Sequence, residues 1–429
     1  MNLPSTMPEL MRGRWPFMLA LFFVLLPIGA GPQGTADGSG LRQAALGALF
    51  IAAAFAVVRF PARWALLRRG VPLSLVAVLL YIALSAIWSP EPYVSFKRVV
   101  QVYGVALLGA ALLVGGGGRF EVQRVAAPVL LVGMLLAVVF TAAFPGFAFA
   151  ENGLRAFLPT KNNFGQFAGL CILISVGLLS LDQRRRAVWW SLALVGLVGL
   201  VLSRSATTAV ALAAVGVFYL MVLVGRRIDS SWRQALLVAV MLSLVCTLVV
   251  VVVYGLPTAY EINRALLSVS GRDVTLTGRT YLWELMMRQV SHHPFFGTGY
   301  GGFWLGLEGE SGQVAYLVKW GYPGQAHNGY LDLLNELGVV GCTLVAWFIG
   351  DHAVNVVRLS RTDPRRGHFH GALLIAVLVL NLAEAALLRT THFWWIVLMA
   401  SIIEVRFRVY SGAALPLAAP SAPVRGVLA

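Results

Sequence analysis

Apolar runs near twenty residues recur along this 429-residue chain, separated by short polar connections. Twenty helical residues cover about 30 Å, the thickness of a bilayer's hydrocarbon core. The pattern predicts spans near residues 16–31, 42–60, 71–89, 99–115, 125–145, 163–181, 187–203, 206–224, 235–256, 328–350, 370–388 and 392–405. That is an all-α polytopic membrane protein with about 12 transmembrane helices. A β-barrel is excluded, because its strands would alternate apolar and polar residues. One long polar stretch interrupts the series. The chain therefore divides into spans one to nine over 1–256, a loop over 257–327, spans ten to twelve over 328–410, and a disordered Ala/Pro-rich tail over 411–429.

Composition agrees. Hydrophobic residues make up 59% and charged residues 12%, about half the charge of a soluble domain. The net charge of +15 follows largely from topology and is no argument for nucleic acid. With the N-terminus in the cytoplasm, every cytoplasmic connection holds at least two arginines, among them Arg59, Arg63, Arg68, Arg69, Arg184, Arg185, Arg186, Arg365 and Arg366. That is the distribution expected of cytoplasmic loops. Both termini are then cytoplasmic and the long loop is periplasmic. Cys171, Cys246 and Cys342 each lie inside an apolar run and read as small core residues.

The loop holds a concentration of cations: Arg264, Arg272, Arg279, Arg288, His292, His293, Lys319 and His327. Residues 279–290 (RTYLWELMMRQV) predict an amphipathic helix. Tyr281, Leu282, Trp283, Leu285, Met286, Met287 and Val290 form its apolar face, and Glu284 and Arg288 pair at i and i+4. Arg279 falls inside the apolar arc in the first turn, where a cation opposes the helix dipole unless an anion joins it. The glycines of FFGTGYGGFW, at 297, 299, 301 and 302, predict tight turns and close approach of backbone to a ligand. His292 and His293 have no further ligand at metal-binding spacing. His327 opens the tenth span in AHNGYLDLLNELGVVG. The helix dipole and nearby arginines disfavour imidazolium there, leaving a neutral proton acceptor. Asp332 and Glu336 share another face and are placed to pair with external cations.

Other predicted external positions converge on this side. Arg204 lies in the short SRSATT connection, Lys161 in LPTKNNFGQF at the mouth of span six, and Arg389 between spans eleven and twelve. Arginine binds phosphate bidentately and stays charged, so two or three could neutralise a diphosphate without a metal. Apolar surroundings suit a lipid tail, and a well-placed histidine can take a hydroxyl proton. These parts suit transfer of a glycan from a polyprenyl diphosphate to a hydroxyl.

TGRTYLWE, HPFFGTGYGGF and AHNGYLDLLNELGVVG, in that order, together with TKNNFG, resemble the O-antigen ligase and O-antigen polymerase superfamily of bacterial membrane glycosyltransferases. The resemblance implies a GT-C-type fold in the inner membrane and a metal-independent, inverting transfer without cofactor. It implies an undecaprenyl-diphosphate-linked glycan as donor. His327 would be the general base, Arg204 and Arg279 would hold the diphosphate, and Arg272, Lys161 and Arg389 would assist. The acceptor favoured is the lipid A core, as for a ligase. The alternatives are an O-antigen or exopolysaccharide polymerase and a protein O-oligosaccharyltransferase. A twelve-span transporter or flippase is the non-enzyme rival. It would place ionisable groups near the bilayer midplane, and the one clearly mid-span acid here is Glu384.

Overall fold

The computed structural model describes residues 14–25, 40–150, 153–225, 279–307, 309–318, 321–389 and 392–411. Helix dominates. The helices of six or more residues are α1 (Trp15–Leu25), α2 (Gly40–Val58), α3 (Ala65–Gly70), α4 (Leu73–Ser85), α5 (Pro92–Gly115), α6 (Val122–Ala143), α7 (Lys161–Leu179), α8 (Arg186–Ser203), α9 (Ala206–Gly225), α10 (Arg279–His292), α11 (Gly309–Val318), α12 (Gly329–Thr362), α13 (Pro364–Leu380) and α14 (Phe393–Tyr410). A two-stranded antiparallel hairpin, Phe149–Ala150 with Gly153–Leu154, precedes α7. A helix occupies each predicted span within the described residues; the ninth, 235–256, lies outside them.

Six of the described helices are long and apolar enough by themselves to cross a membrane, or seven if the bent pair Gln43–Val58 and Pro61–Gly70 counts as one. The chain is thus a multi-pass helical membrane protein. α14 is buried over residues 393–405 and forms the centre, with Trp394 and Trp395 fully buried. α9 turns most of its apolar surface outward, with Val210, Val217, Leu220 and Met221 exposed, as a lipid-facing helix does. Cys171 is buried and Cys342 half-buried, both with free thiols; Cys246 lies outside the described residues.

The two ends of the bundle differ. One gathers arginines: Arg63 donates to the Val114 and Gly115 carbonyls, Arg124 and Arg366 pair with Glu121, and Arg408 pairs with Glu404. The other collects the start of α7, the α8–α9 connection, α10, α11 and the turn after α13. We call it the site end.

At the site end the predicted tenth span is not one helix. α12 breaks at Gly338, whose backbone (φ 62°, ψ −171°) is open only to glycine. Residues 329–337 form a short leg at the site end; residues 339–362 run on for about 36 Å, enough to cross the bilayer. A break strands backbone N–H groups, which a membrane protein must satisfy internally. Here Val339 N–H donates to the Pro294 carbonyl and Val340 N–H to that of Phe295. Thr298 N–H donates back to the Asn335 carbonyl, and Tyr81 Oη to those of Phe296 and Leu337.

This contact gives the glycine-rich motif a structural part. At Gly297 and Gly299 its backbone approaches other backbone. A Cβ on Gly297 would lie 2.4 Å from the Glu336 carbonyl carbon, and one on Gly299 would lie 2.7 Å from the Ser85 carbonyl oxygen. Both glycines have positive φ. The motif seals the broken helix.

α10 is likewise structural over much of its surface. Leu282, Leu285, Met286 and Val290 are buried in a small core with Phe303, Trp304, Val314 and Leu331. Tyr281 and Met287, predicted on the same face, stay exposed. Glu284 and Arg288 pair as expected, at 2.6 Å on the exposed side.

A Cβ on Gly338 would meet the Phe295 carbonyl oxygen at 2.3 Å. Gly338→Ala is expected to cost on the order of 3 kcal/mol through backbone strain and this overlap. Thermal unfolding of the detergent-purified protein measures it; an unchanged midpoint would refute the sealed break.

Candidate active site

The site is organised around a carboxylate that the sequence placed elsewhere. The pattern put Glu384 in the middle of span eleven. α13 instead ends at Leu380, and residues 381–389 turn back at the site end. Asn381 makes that turn: its side-chain oxygen accepts the N–H groups of Ala386 and Leu387. Hydropathy missed it because the turn residues, Leu382, Ala383, Ala385, Ala386, Leu387 and Leu388, are as apolar as a span.

Four side chains meet Glu384. Arg279, the first residue of α10, brings Nη2 to 3.8 Å of Oε1 and donates through Nη1 to the Ala383 carbonyl at 3.1 Å. Asn162, in the first turn of α7, donates to Oε1 at 3.3 Å. Gln325 donates to Oε2 at 2.8 Å and accepts the Ala385 N–H. His327 Nδ1 stands 3.4 Å from Oε2. The side chain of Glu384 is 11% exposed and that of His327 20%. The anion that the sequence required beside Arg279 is thus, in this structure, the protein's own carboxylate.

Burial pushes the Glu384 carboxyl up. The His327 hydrogen bond outweighs it, together with the Arg279 charge and the Gln325 hydrogen bond, and holds the group below its ordinary value. An ionised Glu384 can take an N–H from His327 Nδ1, whose other neighbour at 3.4 Å is Gln325 Nε2. That choice leaves Nε2 with the lone pair, as when a carboxylate orients a catalytic imidazole.

His327 precedes the helix rather than opening it. Asn328 is the cap of α12, accepting from Tyr330 N–H and Leu331 N–H. His327 lies in the left-handed region, at φ 50°. A residue other than glycine there costs about 1–3 kcal/mol and persists only where its surroundings over-determine it.

The other predicted residues distribute as follows. Lys161 is the first residue of α7, next to Asn162. Arg204 caps the C-terminus of α8 in the left-handed conformation (φ 52°) and is exposed. Among the described residues its side chain makes no hydrogen bond or ion pair. Its neighbours Ser203 and Ser205 pack on Gly165, one turn along α7 from Lys161, so Arg204 shares the site end without touching Glu384. Arg389 pairs with Glu336 at 3.0 Å and Asp332 at 3.5 Å, so those two acids find the cation predicted for them. Arg272 lies outside the described residues. Among the described residues, no group of three or more His, Cys, Asp or Glu side chains is arranged to hold a metal ion.

Sequence reasoning missed Glu384, Asn162 and Gln325 as parts of one site. The available signal was an acid within an apolar run, which by itself marks a functional position.

The depressed Glu384 value has a consequence for stability. Folded protein binds a proton at Glu384 less readily than the unfolded chain. The resulting stabilisation is fully present above the unfolded carboxyl value of ~4.3 and is lost as pH falls through the lower folded value. Wild-type protein should lose unfolding temperature in acid more steeply than Glu384→Gln. Parallel curves for the two would mean that Glu384 is not held ionised.

Residues 192–346 match the model of a family described as O-antigen ligase. Over 85 residues the chain is also 33% identical to the exopolysaccharide production protein ExoQ of Rhizobium meliloti (strain 1021). That alignment spans 19% of this chain and 19% of the relative. The family match runs from within α8 to within the second leg of α12, and takes in Arg204, Arg279, His327, Asp332 and Glu336. Through this segment, which carries Arg279 and His327 but neither Asn162 nor Glu384, the chain resembles the O-antigen ligase family.

Proposed function

We propose that the protein transfers a glycan from undecaprenyl diphosphate to a hydroxyl of the lipid A core, as an inverting, metal-independent O-antigen ligase with a GT-C-type fold. The observation that carries this reading is the meeting of His327 and Arg279 on one buried carboxylate. Glu384 fixes the imidazole so that Nε2 faces the acceptor. Nε2 takes the hydroxyl proton as the acceptor oxygen bonds to the anomeric carbon. The bond from that carbon to the diphosphate breaks, and undecaprenyl diphosphate leaves with the negative charge.

Cations on the same end stabilise that charge. Arg279 uses two nitrogens on Glu384 and Ala383, and a guanidinium carries five N–H donors. Arg204 is exposed and uncommitted among the described residues. Lys161 stands beside Asn162, and Arg272 is assigned to the same task from the sequence. The arginine-rich end of the bundle supports, by the positive-inside rule, a cytoplasmic orientation of that end and with it a site on the periplasmic side of the inner membrane.

A second reading is a polymerase, in which the acceptor is another lipid-linked glycan. The name of the relative, an exopolysaccharide production protein, favours it. Incubation of purified protein with a lipid-linked glycan, with and without lipid A core, separates the two. A product only with the core supports the ligase; chain extension without it supports the polymerase.

His327→Ala should insert and fold normally yet transfer nothing, a loss of about 10²–10⁴-fold. Retained transfer in the reconstituted assay would remove His327 as the base. Arg279→Ala should lose donor binding, with Arg279→Lys only a partial rescue because the bidentate fork is gone. Equal donor affinity in all three proteins would take Arg279 out of the diphosphate site. Turnover should persist in chelator.

A further inference from the structure

The segment carrying His327 is held from both sides, and each hold is specific. Asp332, in the short leg of α12, accepts the Ala326 N–H on Oδ1 at 3.0 Å. The same oxygen accepts the indole N–H of Trp304 at 2.8 Å. Trp283 of α10 donates its indole N–H to the Ala326 carbonyl at 2.8 Å. Both backbone polar groups of Ala326 are therefore taken by side chains. Beyond His327, Gly329 N–H donates to the Asn381 carbonyl at 2.8 Å, and a Cβ there would meet Asn381 Oδ1 at 2.1 Å. His327 lies between two fixed points, and its left-handed backbone is the conformation that joins them.

Asp332 needs its own support. It is 1% exposed, and its Oδ2 makes no hydrogen bond. An isolated carboxylate so buried would be costly. Arg389 Nη2 lies 3.5 Å from Oδ2 and 3.0 Å from Glu336 Oε1. Glu336 Oε2 in turn accepts the Gly301 N–H, which ties the cluster to the glycine-rich motif. One line of contacts thus runs from Arg389 through Asp332 and Ala326 to His327.

From this geometry we infer that Trp283 and Asp332 are positioning residues for His327, and that Arg389 acts through Asp332 rather than on the donor's phosphates. The inference rests on the reading of His327 as the base. Trp283 and Asp332 lie on separate elements, α10 and the first leg of α12, and hold the two peptide units on either side of the Ala326 Cα. Loosening either lets residue 327 relax toward ordinary backbone and carries the imidazole away from Glu384. The acceptor then meets a misaimed base, while donor binding is untouched.

The test uses full-length protein in detergent micelles. Trp283→Phe deletes the indole N–H and keeps an aromatic ring in the small core; Asp332→Asn keeps the shape and removes the charge. Two quantities are read in each: modification of His327 by diethylpyrocarbonate, quantified by peptide mass spectrometry, and the steady-state kcat and donor KM. Trp283→Phe should alter the His327 modification rate and lower kcat by about fivefold, the factor for one ordinary hydrogen bond, with donor KM unchanged. Asp332→Asn should do both more strongly. Arg389→Gln should follow Asp332→Asn in lowering kcat without raising donor KM; a raised KM alone would return Arg389 to the phosphate site. Unchanged labelling in both Trp283→Phe and Asp332→Asn overturns the inference whatever the activity. Changed labelling with full kcat, in a protein that His327→Ala inactivates, also overturns it. If His327→Ala itself stays active, the assignment of the base fails, and changed labelling still establishes the hold on residue 327.

Discussion

A carboxylate with little access to water must have partners, and at Glu384 those partners come from three separate parts of the chain. Asn162 arrives from the start of α7, Arg279 from the start of α10, and Gln325 and His327 from the segment before α12. None is near Glu384 in sequence. The cost of desolvating one charge is thereby turned into a constraint on where several helix ends must sit. If they meet, the carboxylate is satisfied and the imidazole has one orientation. The proposed chemistry depends on that orientation, because a base must present the right nitrogen before its proton affinity matters.

The second constraint is the break in α12. An unbroken helix would carry residues 329–337 straight on along the line of 339–362. Gly338 turns the short leg aside, and the carbonyls of Pro294 and Phe295 take the N–H groups that the turn releases. The short leg then presents Asp332 to Ala326 and Trp304, and both Asp332 and Glu336 to Arg389. The glycine-rich motif serves the site at one remove: it supports the leg that holds the segment that carries the histidine.

Much was legible beforehand. The apolar runs located most of the described helices, although α12 runs on to Thr362 and α13 stops at Leu380, and the amphipathic stretch after Arg279 became α10. The Glu284–Arg288 pair formed as its spacing required. Arg279 was marked by a cation where the helix dipole opposes one, which demanded an anion without naming it. The failures share a cause. Glu384 read as mid-span because a tight turn made of Ala and Leu has the hydropathy of a helix. The close approach at the glycines is visible in sequence, while the Glu336 and Ser85 backbone that Gly297 and Gly299 approach is not. The acids beside Arg389, Asp332 and Glu336, were out of sight because they lie more than fifty residues away.

By itself the sequence determined the class of molecule, the positions of most helices, and the polar region in which cations and a histidine collect. Those properties are local: hydropathy, periodicity and helix-end chemistry act over a turn or a span. Tertiary structure alone decided which helix ends face one another. It therefore decided that Arg279 and His327 share a carboxylate, that Arg389 answers to two acids, and that His327 is held in a backbone conformation it would not adopt unaided. Those outcomes depend on satisfying buried charge and backbone across distant segments, and no stretch of sequence carries that information alone.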